Sequence, residues 1–303
     1  MVNEEAIVRG VIQPQPLYEA KDIIDVLAIV GSDARPVEQA IDLALLHAPR
    51  VDRLGYAFAA GYVAATRTLS TRLELPLSHD SRVTLAATEE GGAHPRAIRT
   101  TLDGSRLRGS KRWATLAPLA THLLVIATEG DDGGRPKLRA VLVPTARPGI
   151  QISRMPETPF CPEIPHAQID IDVEVGPGDV VDGDAFTSVL KPFRTIEDLC
   201  VQAAAIAWLG AMARRIGADR ALSARAAALV LSVRGAFRLP FESKAAHITL
   251  GGLIDQTAGL VRDAEEAWPA DREDRAWFVR DRPLLSIASR VREERLKKAW
   301  EAL

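Results

Sequence analysis

Residues 83–125 read VTLAATEEGGAHPRAIRTTLDGSRLRGSKRWATLAPLATHLLV, and the reading of this stretch decides the fold. Residues 83–88 form a short strand pattern that ends in a loop, because Gly91 and Gly92 permit backbone conformations closed to residues with a side chain. Asp103-Gly104 is a hairpin turn signal, and residues 107–116 and 121–128 read as strands of a small sheet. A loop such as the one at Gly91-Gly92 offers backbone N–H groups to an anion, for instance a pyrophosphate. Trp113 and Thr115 stand two apart, so on one strand they share a face. Taken alone, they are a half-buried strand pair.

Outward from this stretch the pattern changes on both sides. Residues 1–75 read as helical, with Leu54, Phe58, Tyr62, Ala65 and Leu69 making one apolar face and Pro36 placed to open a helix. Between 76 and 181 short alternating runs are broken by Gly and Pro: 138–143, 150–152 and 168–175, with Ile169, Ile171 and Val173 facing one way. Such strands make an antiparallel barrel or sandwich. Residues 130–136 read as a mobile hairpin loop whose acidic pair is solvated. From 182 to 303 the chain is helical again. Thr195 with Asp198 three residues on is a capping-box arrangement opening a helix at 199–212, and further helices fit 223–237, 243–268 and 275 to the end. Apolar-faced helices on short connections argue for a four-helix bundle. In the last helix the basic run Arg290, Arg292, Arg295, Lys297 and Lys298 reads as the wet face, opposite Leu284, Ile287 and Val291.

Composition sets limits on function. A chain of 303 residues accommodates two or three domains, and 47% hydrophobic with 26% charged residues is ordinary for a globular fold. A formal charge of −2 gives no electrostatic case for nucleic acid or an anionic membrane. Cys161 and Cys200 provide neither a disulfide framework nor CxxC metal spacing, and no metal is expected. The first ten residues lack the basic and apolar regions of a secretion signal, and no uncharged window is expected to cross a bilayer, so a cytoplasmic location is expected. There is no GxSxG elbow, P-loop or HExxH.

Thr88-Glu89-x-Gly91 followed by Gly109-x-Lys111-x-Trp113-x-Thr115 resembles the central domain of the acyl-CoA dehydrogenase family, whose pattern is TEPGAGSD and then GxKxWIT. The resemblance implies an α+β multidomain fold: an abbreviated helical N-terminal domain at 1–75, a central antiparallel β-barrel or sandwich at 76–181, and a C-terminal four-helix bundle at 182–303. It also implies FAD. In that family the first segment wraps the pyrophosphate and ribityl chain, while the Trp and Thr of the second meet the isoalloxazine. Carried over, this makes Leu85, Ala87, Thr88, Trp113 and Thr115 cofactor-binding candidates. Glu90, Gly92, Ala93, His94 and Pro95 stand where the family has Pro, Ala, Gly, Ser and Asp, so the loop departs from the phosphate- and acyl-CoA-binding pattern. His94, in the place of a ligand-contacting serine, is the substrate-binding candidate, and is otherwise a loop histidine. Arg234-x-x-Phe237 resembles an RxxF motif whose arginine reaches the FAD of a neighbouring subunit, so Arg234 joins the cofactor set.

Removing an α proton from an acyl thioester requires a desolvated, aimed carboxylate. Most of the family carries it in a Y-E-G-T segment after a Gly-Gly turn, and neither is found in this sequence. A minority carries it on the first bundle helix, close to Glu197, which is therefore the candidate catalytic base. The plainer reading of Glu197 is a helix-start charge, since a first-turn carboxylate is stabilised by the helix dipole and weakened as a base. Two functions follow from the resemblance. One is an FAD-dependent oxidoreductase that dehydrogenates acyl-CoA or another acyl thioester, with an unspecified electron acceptor. The other is a non-catalytic homologue serving as a structural or acyl-binding subunit. Either implies a homo-oligomer, or a hetero-oligomer with another dehydrogenase subunit.

Overall fold

A computed structural model describes residues 2–33, 39–92, 94–287 and 289–303. Pro36 and Ala93 lie outside the described residues. The chain divides into two compact units, a β unit of Leu69–Thr158 with Ile164–Phe193, and a helical unit of Met1–Thr68, Pro159–Glu163 and Arg194–Leu303.

The β unit is built from β1 (Val83–Ala86), β2 (Thr101–Asp103), β3 (Arg106–Thr115), β4 (His122–Asp132), β5 (Arg135–Pro144), β6 (Ile150–Arg154), β7 (His166–Glu174) and β8 (Val180–Val181). Their order across the sheet is β6-β7-β3-β2-β4-β5-β8, with β1 paired to β4. The architecture is α+β, as the sequence leads one to expect, but the sheet is mixed: β1 and β2 each run parallel to β4. The alternating runs behave as their period requires. Ile169, Ile171 and Val173 of β7 and Leu123, Val125 and Ala127 of β4 point into one apolar cluster with Leu107, Val141 and Val143. The expected loop at 130–136 is instead a continuation of the β4–β5 ladder to Asp132↔Arg135, closed by Gly133 and Gly134, whose φ of 59° and 86° suit a two-residue hairpin turn.

The helical unit takes α1 (Glu4–Ile12), α2 (Ile23–Gly31), α3 (Ile41–His47) and most of α4 (Leu54–Arg72) from the N-terminal part of the chain. The later part supplies most of α5 (Lys191–Arg215) and all of α6 (Arg220–Ala236), α7 (Lys244–Ala267), α8 (Glu273–Asp281) and α9 (Ser289–Glu301). The helices depart from their expected form in four ways. First, α4 is not one-faced: Tyr56, Ala57, Ala60 and Ala64 are buried along with Leu54, Tyr62, Ala65 and Leu69. Small residues make this possible, since a Cβ at Gly61 would stand 2.9 Å from the Cys200 carbonyl oxygen on α5. Second, α5 begins at Lys191 after a wide helical turn at Phe186–Leu190, so Thr195-Asp198 does not cap it. The run Phe186–Arg215 is long and apolar enough to span a bilayer, contrary to expectation, but 94% of its most apolar window is buried inside the protein. Third, the last expected helix is broken into α8 and α9 by a tight turn at Arg282–Ser286 carrying Pro283. Fourth, α9 keeps only part of its expected wet face: Arg290, Lys297 and Lys298 are exposed, but Arg292 and Arg295 point inward to Asp198, while Ile287 and Val291 are 62% and 48% exposed.

Aromatic packing joins three of these elements. Trp268, after α7, stacks on Phe278 of α8 at 4.9 Å, and Trp208 of α5 lies 5.8 Å from the same ring. Gly61→Val should lower stability by ~1–3 kcal/mol, because the added methyls meet backbone rather than a movable side chain. Urea unfolding measures this, and an unchanged midpoint would show that α4 and α5 are not packed backbone to backbone.

Candidate functional site

β3 does not keep a single alternation. Leu107, Lys111 and Ala114 are buried while Trp113 is 51% exposed, so the inward positions step by four and then by three. The step is a bulge: against β7, Arg112 pairs with Gln168 and Ala114 with Ala167, which leaves Trp113 as an extra residue. Plain alternation would send Lys111 and Trp113 to one side, and the bulge separates them. The ammonium goes in and the indole goes out.

Lys111 is fully buried and donates to Glu89 Oε1 at 2.6 Å and to the Ala87 carbonyl at 3.4 Å. Glu89 also accepts from the backbone N–H groups of Arg99 at 2.7 Å and Thr100 at 3.0 Å, and from the Thr100 hydroxyl at 2.8 Å. Burial pushes the Glu89 carboxyl up, but the bonds from Lys111 and Thr100 outweigh it and hold it below the usual range. Burial lowers Lys111 to about 8, with Glu89 working against that drop. Both groups are therefore charged at neutral pH, and the pair clamps the 88–100 loop onto β3. Gly109 completes the fit, since a Cβ there would lie 2.6 Å from Thr100 Cα.

Trp113 is half-exposed, and Thr115 follows it two positions on along β3. The Arg112 guanidinium lies 5.4 Å from the Trp113 ring centroid. Thr88 and Thr115 are half-buried, and their hydroxyls have no hydrogen-bond partner among the described residues. The Thr88 carbonyl accepts from the Arg112 N–H at 2.9 Å, which ties the loop to the bulge. Leu85 is half-buried on β1, and Ala87 is buried with its carbonyl facing Lys111.

The glycine-bearing loop differs from the open anion cradle expected of it. Glu89 N–H donates to the Gly92 carbonyl at 3.3 Å and Gly92 N–H to the Glu89 carbonyl at 2.8 Å, so two of its donors are used within the turn. His94 is exposed, and its Nδ1 accepts from Arg96 N–H at 3.2 Å, capping the short turn Pro95–Ala97. That bond gives His94 a local structural task.

In the helical unit, Glu197 lies in the second turn of α5, which removes the helix-start reading. It is half-buried, and burial, assisted by the neighbouring Asp198 charge, pushes its carboxyl up to about 7 against the pull of Arg292 and Arg295. A carboxyl in this range can take a proton near neutral pH. Arg234, expected to reach out to a cofactor, is 2% exposed and turned inward. It donates to both oxygens of Asp42 at 2.7 and 2.9 Å and to Glu4 at 2.9 Å, joining α6 to α3 and α1. Cys161, Glu163 and Asp281 bring ligand atoms within 4.8 Å of one another. Arg280 already donates to Asp281 at 2.6 and 2.8 Å and stands 3.6 Å from Glu163, so the two carboxylates have a cation of their own.

The sequence reading missed Glu89, Thr100 and Asp198 as organising groups, and missed Lys111 except as part of a motif. The available signal was that Lys111 falls in phase with the apolar Leu107, on the face opposite Arg106, Arg108 and Ser110. Its partner lay 22 positions away across a loop.

Comparison with known proteins places the fold around this β unit in a class. Residues 84–172 match the acyl-CoA dehydrogenase middle domain. The structure of FkbI, for biosynthesis of the methoxymalonyl extender unit of the Fk520 polyketide immunosuppressant, superposes with a TM-score of 0.68 at 16% identity, covering 99% of this chain and 100% of that one. Butyryl-CoA dehydrogenase from Megasphaera elsdenii gives 0.68 at 13% identity, over 99% and 98% of the two chains. PigA with FAD and proline gives 0.67 at 13% identity, over 98% and 96%. No curated protein sequence matches. At these identities the structures show a shared fold. Together with the match over residues 84–172, they show an acyl-CoA dehydrogenase-like fold with a stretch similar to that family's middle domain.

Two outcomes test the electrostatics. Lys111→Met should cost ~3–5 kcal/mol, because it leaves a buried carboxylate without its cation, and adding Glu89→Gln should recover part of that loss. Strict additivity in chemical denaturation would show the two groups to be uncoupled. For Glu197 the folded-state value lies above the ordinary one, so the folded chain binds more protons between roughly pH 4.5 and 7 and loses stability as pH rises through that window. Glu197→Gln should accordingly raise stability at pH 8 by about 2–3 kcal/mol and change little at pH 4. An equal effect at both values would place Glu197 in water.

Proposed function

We propose that this chain is an FAD-dependent oxidoreductase that dehydrogenates an acyl thioester between its α and β carbons. The reading rests on the half-exposed Trp113, two positions from Thr115 on β3 and next to Arg112, whose N–H ties down Thr88, with neither threonine hydroxyl bonded among the described residues. A half-exposed indole is a platform for a planar ring, and the threonines offer hydrogen bonds to its polar edge. These residues fit a flavin, which when bound supplies a two-electron acceptor. FAD binding by PigA, a structural neighbour, favours the same reading.

The chain's own contribution has two parts. Lys111 and Glu89 hold the Trp113 platform still, so that a ring seated there meets a preorganised surface. Glu197 is the group that takes a proton. Near neutral pH its carboxyl is partly ionised, and its limited hydration makes the ionised fraction a stronger base than an exposed glutamate. Acyl-CoA is the simplest acyl thioester for this role, and assembly with further copies or with another dehydrogenase subunit goes with the reading.

Arg234 favours a second reading. Its guanidinium is spent on Asp42 and Glu4, which suits a homologue that keeps the architecture and serves as a structural or acyl-binding subunit without turnover. The two separate experimentally. Under the enzyme reading, Trp113→Ala with Thr115→Ala should weaken FAD binding at least about tenfold. The variant should leave the far-ultraviolet circular dichroism unchanged, and Glu197→Gln should abolish acyl-CoA oxidation in a dye-coupled assay while flavin stays bound. Undiminished turnover by Glu197→Gln removes it from the chemistry, and a flavin affinity indifferent to the double variant removes the platform.

A further inference from the structure

Within the helical unit a cavity of about 400 Å³ opens between α5, α7 and the Arg282–Ser286 turn, a size suited to a small metabolite. Ile254, Ala258, Val261 and Leu285 contribute apolar walls. Its polar lining is mostly engaged already. Thr257 donates to the Leu253 carbonyl, Ser286 to the Pro283 carbonyl, Ser289 to the Ser286 carbonyl, and Arg282 pairs with Glu265.

Two groups remain. Gln202 is 1% exposed, lines the cavity, and its Oε1 has no hydrogen-bond partner among the described residues. A buried amide oxygen left unpaired costs about 1–3 kcal/mol, and a ligand that supplies the missing bond recovers it. Arg262 is exposed at the same cavity and makes no ion pair among the described residues. The complementary molecule has an apolar body for the walls, a group that can hydrogen-bond Gln202, and an anionic end for Arg262. A hydroxyl serves the amide in either of its two orientations.

We propose that this cavity binds a medium-chain aliphatic hydroxy acid, with its chain on Ile254, Val261 and Leu285, its hydroxyl on Gln202 and its carboxylate on Arg262. The site uses neither Trp113 nor Thr115, so it stands or falls apart from the flavin reading.

Calorimetric titration of the full chain with 3-hydroxyoctanoate, octanoate and 1,3-octanediol tests it. The hydroxy acid should bind saturably and about tenfold more tightly than octanoate, the difference that one hydrogen bond makes. Gln202→Leu should make the two acids bind alike, while Arg262→Ala should weaken both acids and leave the diol unaffected. Gln202→Leu removes an unpaired polar atom and should melt no lower than the native chain. If it fails to fold, the three native titrations and the exposed Arg262→Ala decide. No saturable binding of 3-hydroxyoctanoate to the native chain overturns the proposal. So does octanoate binding as tightly as the hydroxy acid, or Arg262→Ala leaving both acids unchanged.

Discussion

The ion pair between Lys111 and Glu89 is the constraint on which the β unit's surface depends. An ammonium with no solvent exposure is tolerable only with a carboxylate against it, and that carboxylate is itself held by three donors from Arg99 and Thr100. The pair therefore ties three pieces of chain that no long ladder joins: the end of β1, the loop through 88–100, and β3. Once Lys111 is committed inward, the strand cannot slide by one residue without exposing the apolar set and burying the wrong groups. The bulge after Arg112 then has one consequence for the surface: Trp113 stands out beside Thr115.

The helical unit applies the same principle differently. Arg234 sits between α6, α3 and α1, with Asp42 fully buried against it and Glu4 nearer the surface. Arg292 and Arg295 converge on Asp198 from α9. These arrangements fix which helix faces meet, where apolar packing alone would allow several registers. Glu197, one residue from Asp198, has a raised proton affinity because burial, helped by the Asp198 charge, outweighs the pull of Arg292 and Arg295.

Much of this architecture was legible in the sequence, because period-two alternation and Gly-Pro punctuation have direct physical causes. β7 and β4 could be read from Ile169, Ile171 and Val173 and from the run at 121–128. What stayed hidden depends on partners far away in the chain. The inward turn of Arg292 and Arg295 requires knowing that Asp198 lies opposite, some 94 and 97 positions earlier. Charge patterning alone made those arginines a wet face. The start of α5 was misplaced because Thr195 and Asp198 imitate a cap, whereas the helix already runs from Lys191. Of the candidate site, Trp113 and Thr115 were visible as a motif. The clamp beneath them was not, since the partner of Lys111 lies 22 positions away across a loop.

The proposed flavin seat is the clamped surface around Trp113. Titration of the native chain with FAD, followed by circular dichroism in the visible region where only bound flavin in an asymmetric site gives a signal, tests it most directly. A flavin seat at Trp113 gives a signal that saturates at one FAD per chain. A signal that stays at baseline through excess FAD would contradict it and leave the fold without the cofactor.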